Sequence, residues 1–194
     1  METLLGIFSA FGLSASAGLN AYIPLLVVAL MAKFTNWIHL EAPWDALTSW
    51  WIIGLLIILL LIEFFVDKIP VVHHVNDAIQ TFVRPAAGAV VFAANTNVVS
   101  GISPVAALAL GLIMAGGVHA TKSAVIRPVV GVASGGSANV PVSMAEDATS
   151  TAVSIASILA PLVVFLLLVV FASWVIYYFL LREKPEMPRK RKTQ

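Results

Sequence analysis

The chain has 194 residues, 60% of them hydrophobic and 11% charged, with a formal net charge of +1 and no cysteine. Soluble domains carry roughly 25% charged residues, so the composition points to an all-α integral membrane protein with room for about six transmembrane or half-membrane helices and none for a second, soluble domain. It excludes disulfides, thiolate metal sites and thiol catalysis, and the lack of a basic face on a folded domain argues against nucleic-acid binding.

The first segment, METLLGIFSAFGLSASAGLNA, has the apolar run and small-residue site of a secretory signal, but Glu2 stands where a basic leader belongs, so it reads as a retained first helix. Between Glu2 and Ala32 the run is weakened at Gly18, Asn20 and Pro24, which predicts either one broken helix or a short hairpin. Lys33 to Ser49 mixes Trp37 and Trp44 with charges and reads as an interfacial loop or helix on the outer face. Trp50 and Trp51 then anchor the clearest span, continuing through IIGLLIILLLIEFFV.

The stretch DKIPVVHHVNDAIQTFV is too polar to face lipid, and a short apolar segment is expected to resume at Pro85 and end near Val99. Val105 to Val118 goes back in, and His119 to Gly136 carries a second Arg-Pro element before the flexible ASGGSANVP. From Ala148 to Leu181 there are 34 residues without a charge. One helix of that length would measure ~51 Å against a ~30 Å hydrocarbon core, so Pro161 is expected to divide or kink it. The segment before Pro161 suits a bundle interior; the one after it suits lipid, with Trp174, Tyr177 and Tyr178 as an interfacial belt. The tail, residues 182–194, holds six of the eleven Lys and Arg, which places the C-terminus in the cytoplasm and the protein in a cell inner membrane, with residues 1–181 as one helical domain.

Two short patterns recur. RPAAG at Arg84 matches RPVVG at Arg127, and NDAIQT at Asn76 matches EDATST at Glu146, in opposite relative order. That excludes a simple tandem duplication and leaves decayed inverted repeats or chance. An Arg-Pro step is expected to start a helix, because proline has no N–H to waste at the first position. The free N–H groups and the guanidinium would then both attract an anion. The alternative is that Arg84 and Arg127 reach the interface and set topology.

The candidate substrate-binding residues are therefore Arg84, Arg127, Lys122, Asn20 and His119, and the candidate coupling or gating acids Glu63, Asp67, Asp77, Glu146 and Asp147. Asp77 and Asp147 are the expected counter-charges of the two arginines. Gly88 and Gly131 would admit a neighbouring backbone or a substrate. His73, His74 and Asp77 are weak metal candidates without a metal-site spacing, so no metal or other cofactor is expected. Asp147, Ser150, Ser154 and Ser157 share one helix face, which would line a wet path or bond neighbouring helices together.

EFFVDKIPVVHHVNDAIQTFVRPAAGA together with KSAVIRPVVGVASGGSANVPVSMAED resembles a family of small, mainly bacterial integral-membrane proteins described only as a domain of unknown function. The resemblance covers nearly the whole chain apart from the basic tail and implies no activity. The residues themselves favour a transporter for an anionic solute or lipid headgroup, coupled to protons or cations. A chain this short would enclose such a site as a homodimer. A non-transporting membrane scaffold and an intramembrane lipid-modifying enzyme are the other readings, and no hydrolase triad, Walker loop or dinucleotide fingerprint supports an enzyme. Charges that converge on one cavity, pair off dry or lie among headgroups would separate these readings.

Overall fold

The computed structural model describes residues 2–66, 70–96, 102–126, 128–130 and 138–181, with backbone alone at residues 2–3, 70–75, 77, 139 and 179–181. Among them the regular structure is all helical: α1 (Glu2–Leu19), α2 (Tyr22–Phe34), α3 (Trp50–Val66), α4 (Pro70–Thr96), α5 (Pro104–Thr121), α6 (Asn139–Leu159) and α7 (Pro161–Leu181). A 3₁₀ turn at Trp44–Thr48 follows an irregular stretch after α2, and a π-helical turn at Lys122–Ile126 extends α5.

The breaks have local causes. The side-chain Oδ1 of Asn20 accepts hydrogen bonds from the backbone N–H groups of Tyr22 and Ile23 at 3.0 and 3.1 Å, so the residue that ends α1 also satisfies the open donors of α2. Pro24 falls within the first turn of α2, where a missing N–H costs nothing. Ser103 caps α5, its Oγ accepting from Ala106 N–H at 3.2 Å, with Pro104 at the first helical position. The long uncharged stretch is divided at Ala160, and Pro161 opens α7.

The polar and apolar stretches on either side of Arg84-Pro85 are not two segments. Pro85 lies inside α4, a single helix of 27 residues, so this Arg-Pro step does not start a helix. An interior proline removes one backbone bond and crowds the carbonyl four residues earlier, here Thr81. The helix continues because Gln80 and Arg84 before the proline and Ala87, Ala89, Val91 and Phe92 after it are buried in the bundle and hold it on both sides. Arg127, Gly131, Asp67 and the 182–194 tail lie outside the described residues, as do the side chains of Asp77, His73 and His74.

Helix α1 is the hub, packing on α2, α4, α5, α6 and α7, while α4 and α5 share the longest seam; α3 rests mainly on α2. The core is built of small side chains: Ala17, Ala21, Ala87 and Ala115 form one cluster, and Ala10, Phe92, Ala93 and Ala107 another. Small residues let helix backbones approach closely. At the α4–α5 crossing Gly88 and Gly111 face each other. A Cβ on Gly111 would come within 3.0 Å of the Gly88 carbonyl oxygen, Phe92 Cβ and Ala89 Cα, none of which can swing away. Gly111→Ala is therefore expected to destabilise the protein by about 1–3 kcal/mol, read as a lower thermal midpoint in detergent. An unchanged midpoint would show that this seam is looser than described.

By contrast, α3 and α7 leave much of their apolar surface uncovered. Trp51, Leu55, Ile58, Ile62 and Phe65 on α3, and Val163, Leu167, Val170 and Trp174 on α7, are all more than half exposed. The Pro104–Val130 stretch and the Pro161–Tyr178 helix are long and apolar enough to cross a membrane; Leu4–Leu19, Tyr22–Phe34 and Trp50–Val66 are shorter apolar helices.

Candidate functional site

Arg84, 1% exposed, projects from the middle of α4, and its Nη2 donates to Glu63 Oε1 of α3 at 2.9 Å, with Glu63 only 3% exposed. Arg84 Nη1 lies 3.3 Å from His119 Nδ1 of α5, and His119 Nε2 lies 3.3 Å from the Thr81 hydroxyl, one turn before Arg84. A guanidinium can only donate. His119 Nδ1 is thus the acceptor, which places the imidazole proton on Nε2, facing Thr81. Tyr22 of α2 completes this side: its hydroxyl lies beside the Gln80 side chain and in the fields of Glu63 and Arg84.

One turn beyond His119, the π-helical turn begins at Lys122, itself 2% exposed. Its Nζ meets Glu146 Oε2 of α6 at 2.6 Å and donates to the Leu19 carbonyl, the last residue of α1, at 3.1 Å. Beside this contact Asn20 Nδ2 donates to Asp147 Oδ1 at 2.9 Å. Asn20 is thus used on both edges, the oxygen for α2 and the nitrogen for α6.

The arrangement brings together Asn20, Glu63, Arg84, His119, Lys122, Glu146 and Asp147 in one buried polar array drawn from α1, α3, α4, α5 and α6. Among the described residues Arg84 pairs with Glu63 and Lys122 with Glu146, both cations being buried. Arg84 takes Glu63 of α3 as a counter-charge, because α3 ends beside the middle of α4; the Asp77 side chain and Arg127, expected in such pairs, lie outside the described residues. Asp147 accepts from the Asn20 amide, and Glu146 beside it neutralises Lys122.

A serine layer borders the array. Ser16 Oγ of α1 lies 2.8 Å from Ser150 Oγ and 2.7 Å from Ser154 Oγ of α6, and all three serines are fully buried. The shared face of α6 is turned inward, and its hydroxyls bond helix to helix. Ser14 Oγ likewise donates to the Gly88 carbonyl of α4 at 2.9 Å. Beyond the serines, towards the start of α1, a cavity of about 590 Å3 is lined by Ser9, Trp37, His39, Asn95 and Ile158, among others. Its α1 residues lie roughly 17–23 Å along the helix from Asn20, by the ~1.5 Å rise per residue, with the serine layer between. Among the described residues no three metal-ligating side chains converge.

Sequence reasoning missed Tyr22, Gln80, Thr81 and the Leu19 carbonyl. A signal existed for two of them: Gln80 and Thr81 stand four and three residues before Arg84, the spacing that shares a helix face, but it counts only once Pro85 is known to lie inside the helix. Nothing in the sequence marks Tyr22 or a backbone carbonyl.

Residues 7–181 match the family described as Domain of unknown function (DUF4126), and the chain belongs to that family. None of the curated proteins and none of the solved structures matches it.

Proposed function

We propose that this family member is a small multi-pass membrane transporter that moves an anionic solute or lipid headgroup together with a proton. The membrane setting is supported by the bare apolar faces of α3 and α7, which are larger than a soluble monomer leaves uncovered, and by the two helices long enough to cross. The basic tail orients the C-terminus to the cytoplasm of an inner membrane.

One observation carries the transport reading: three backbone irregularities inside the bundle meet at the same buried charges. The α1–α2 break lies at Asn20, the π-helical turn starts at Lys122, and the interior proline follows Arg84. Buried ion pairs are poor stabilisers beside apolar packing, and intramembrane charges are costly. Broken helices and π turns are where membrane proteins and enzymes place working sites.

The chemistry follows from exchange of partners. When Glu63 takes a proton it no longer neutralises Arg84, and an anion can replace it; when the proton leaves, the carboxylate displaces the anion. Proton and anion then bind and leave together. Glu146 and Lys122 repeat the arrangement across α5, and the serine layer between cavity and array is where the α1–α6 seam would part. The closed state of both pairs also suits a scaffold in which charges only hold helices together.

Reconstitution in liposomes with an imposed pH gradient and a panel of anions separates the two. Acid outside is expected to accelerate anion uptake, and Glu63→Gln, which keeps an acceptor oxygen for Arg84 but carries no proton, is expected to flatten that pH dependence. A variant whose flux keeps the wild-type pH profile removes Glu63 from the coupling role. Wild-type protein that moves no anion leaves the scaffold.

A further inference from the structure

The contact between Glu63 and Arg84 uses only part of the guanidinium. Nη2 is held by Glu63 and Nη1 faces His119, while Nε, on the same edge as Nη2, is buried without a hydrogen-bond partner. Four residues earlier on the same face of α4, Gln80 is 2% exposed, and its Oε1 is also buried without a partner. A buried donor and a buried acceptor left open one turn apart on the same helix are costly and uncommon.

We propose that this edge is the recognition site for a small oxyanion that keeps a proton, in the class of hydrogen phosphate, bicarbonate or a phosphate monoester. The proposal rests on the transport reading and names its substrate class. The Nε and Nη2 hydrogens point in parallel and match two oxygens of an oxyanion, a grip that Glu63, bound through one oxygen at Nη2, does not complete. An anion that displaces Glu63 gains the Nε bond as well.

Gln80 sets the second requirement. Its Oε1 accepts only, so a ligand in that place must offer a hydrogen. Hydrogen phosphate, bicarbonate and a monoester have an O–H to give. Sulfate, nitrate, chloride and the phosphodiester of most lipid headgroups would turn a lone pair towards the amide oxygen, which repels them. A site built to bond a hydroxyl rejects an analogue lacking it strongly, here on the order of 100-fold or more.

The test is calorimetric titration of the full chain in detergent with inorganic phosphate, sulfate, soluble short-chain phosphatidate and short-chain phosphatidylglycerol. Phosphate is expected to bind about 100-fold more tightly than sulfate or more, and phosphatidylglycerol to fail as a competitor. Phosphatidate that outcompetes phosphate identifies a lipid monoester as the source of the group; phosphate binding alone identifies the free ion, and both outcomes support the site. Gln80→Met, which removes the acceptor at similar volume, is expected to bring the phosphate and sulfate affinities together, with its thermal midpoint reporting whether it folds. Sulfate binding as tightly as phosphate, or no anion binding at all, overturns the site on wild-type protein alone. The pH-driven flux of other anions and its dependence on Glu63 would still stand or fall separately, so the two failures are distinguishable.

Discussion

Replacing Arg84 by methionine is expected to cost the folded protein about 3–5 kcal/mol, the range for removing one partner of a buried ion pair. Methionine fills much of the same space, so the loss reports the electrostatics rather than a void. What remains is Glu63, 3% exposed, with its counter-charge gone, and His119 without its donor. The double variant Glu63→Leu, Arg84→Met removes both charges and is expected to recover most of the loss, because the pair itself adds little beyond what apolar packing supplies. Arg84→Lys keeps the charge but not the planar fork, so it cannot serve Glu63 and His119 at once and should fall between the two. Thermal or denaturant unfolding of the purified proteins reads all three. A single variant that loses less than about 1 kcal/mol, the scale of an exposed pair, would mean that water reaches Arg84.

Lys122→Met is the second large effect. Lys122 neutralises Glu146 and also bonds the carbonyl that ends α1, so its loss strands a carboxylate and a helix C-terminus together. Because Glu146 keeps 11% exposure, the expected cost is about 3 kcal/mol, at the lower end for a broken buried pair. The damage should be local as well as global: the Leu19–Ala21 junction loses a tether to α5, and amide exchange there should rise more than in the α4–α5 seam. Equal protection at the junction in both proteins would show that Asn20, bonded to Asp147, holds the break without help.

Much of the architecture was legible because it depends on neighbours in the chain. The break at Asn20, the division at Pro161 and the apolar helix that begins at Trp50 all follow from residue types within one or two turns. The candidate site was legible only as a set of residues: Asn20, Glu63, Arg84, His119, Lys122, Glu146 and Asp147 stand out as polar groups in an apolar chain, but their pairing does not. Arg84 meets an acid 21 positions earlier, and Asn20 an acid 127 positions later. No local pattern encodes such separations.

Composition and periodicity alone therefore determined that the chain is helical, that its helices are apolar, and where most of them stop, since backbone hydrogen bonding and the missing N–H of proline act over a few residues. Tertiary packing decided the rest. It carried α4 through Pro85, where local chemistry predicted a start, because buried alanines and Phe92 on the far side outweigh one lost backbone bond. It also chose Glu63 as the partner of Arg84 and Glu146 as the partner of Lys122, because a charge removed from water is satisfied by whichever opposite charge the helix crossings bring within reach.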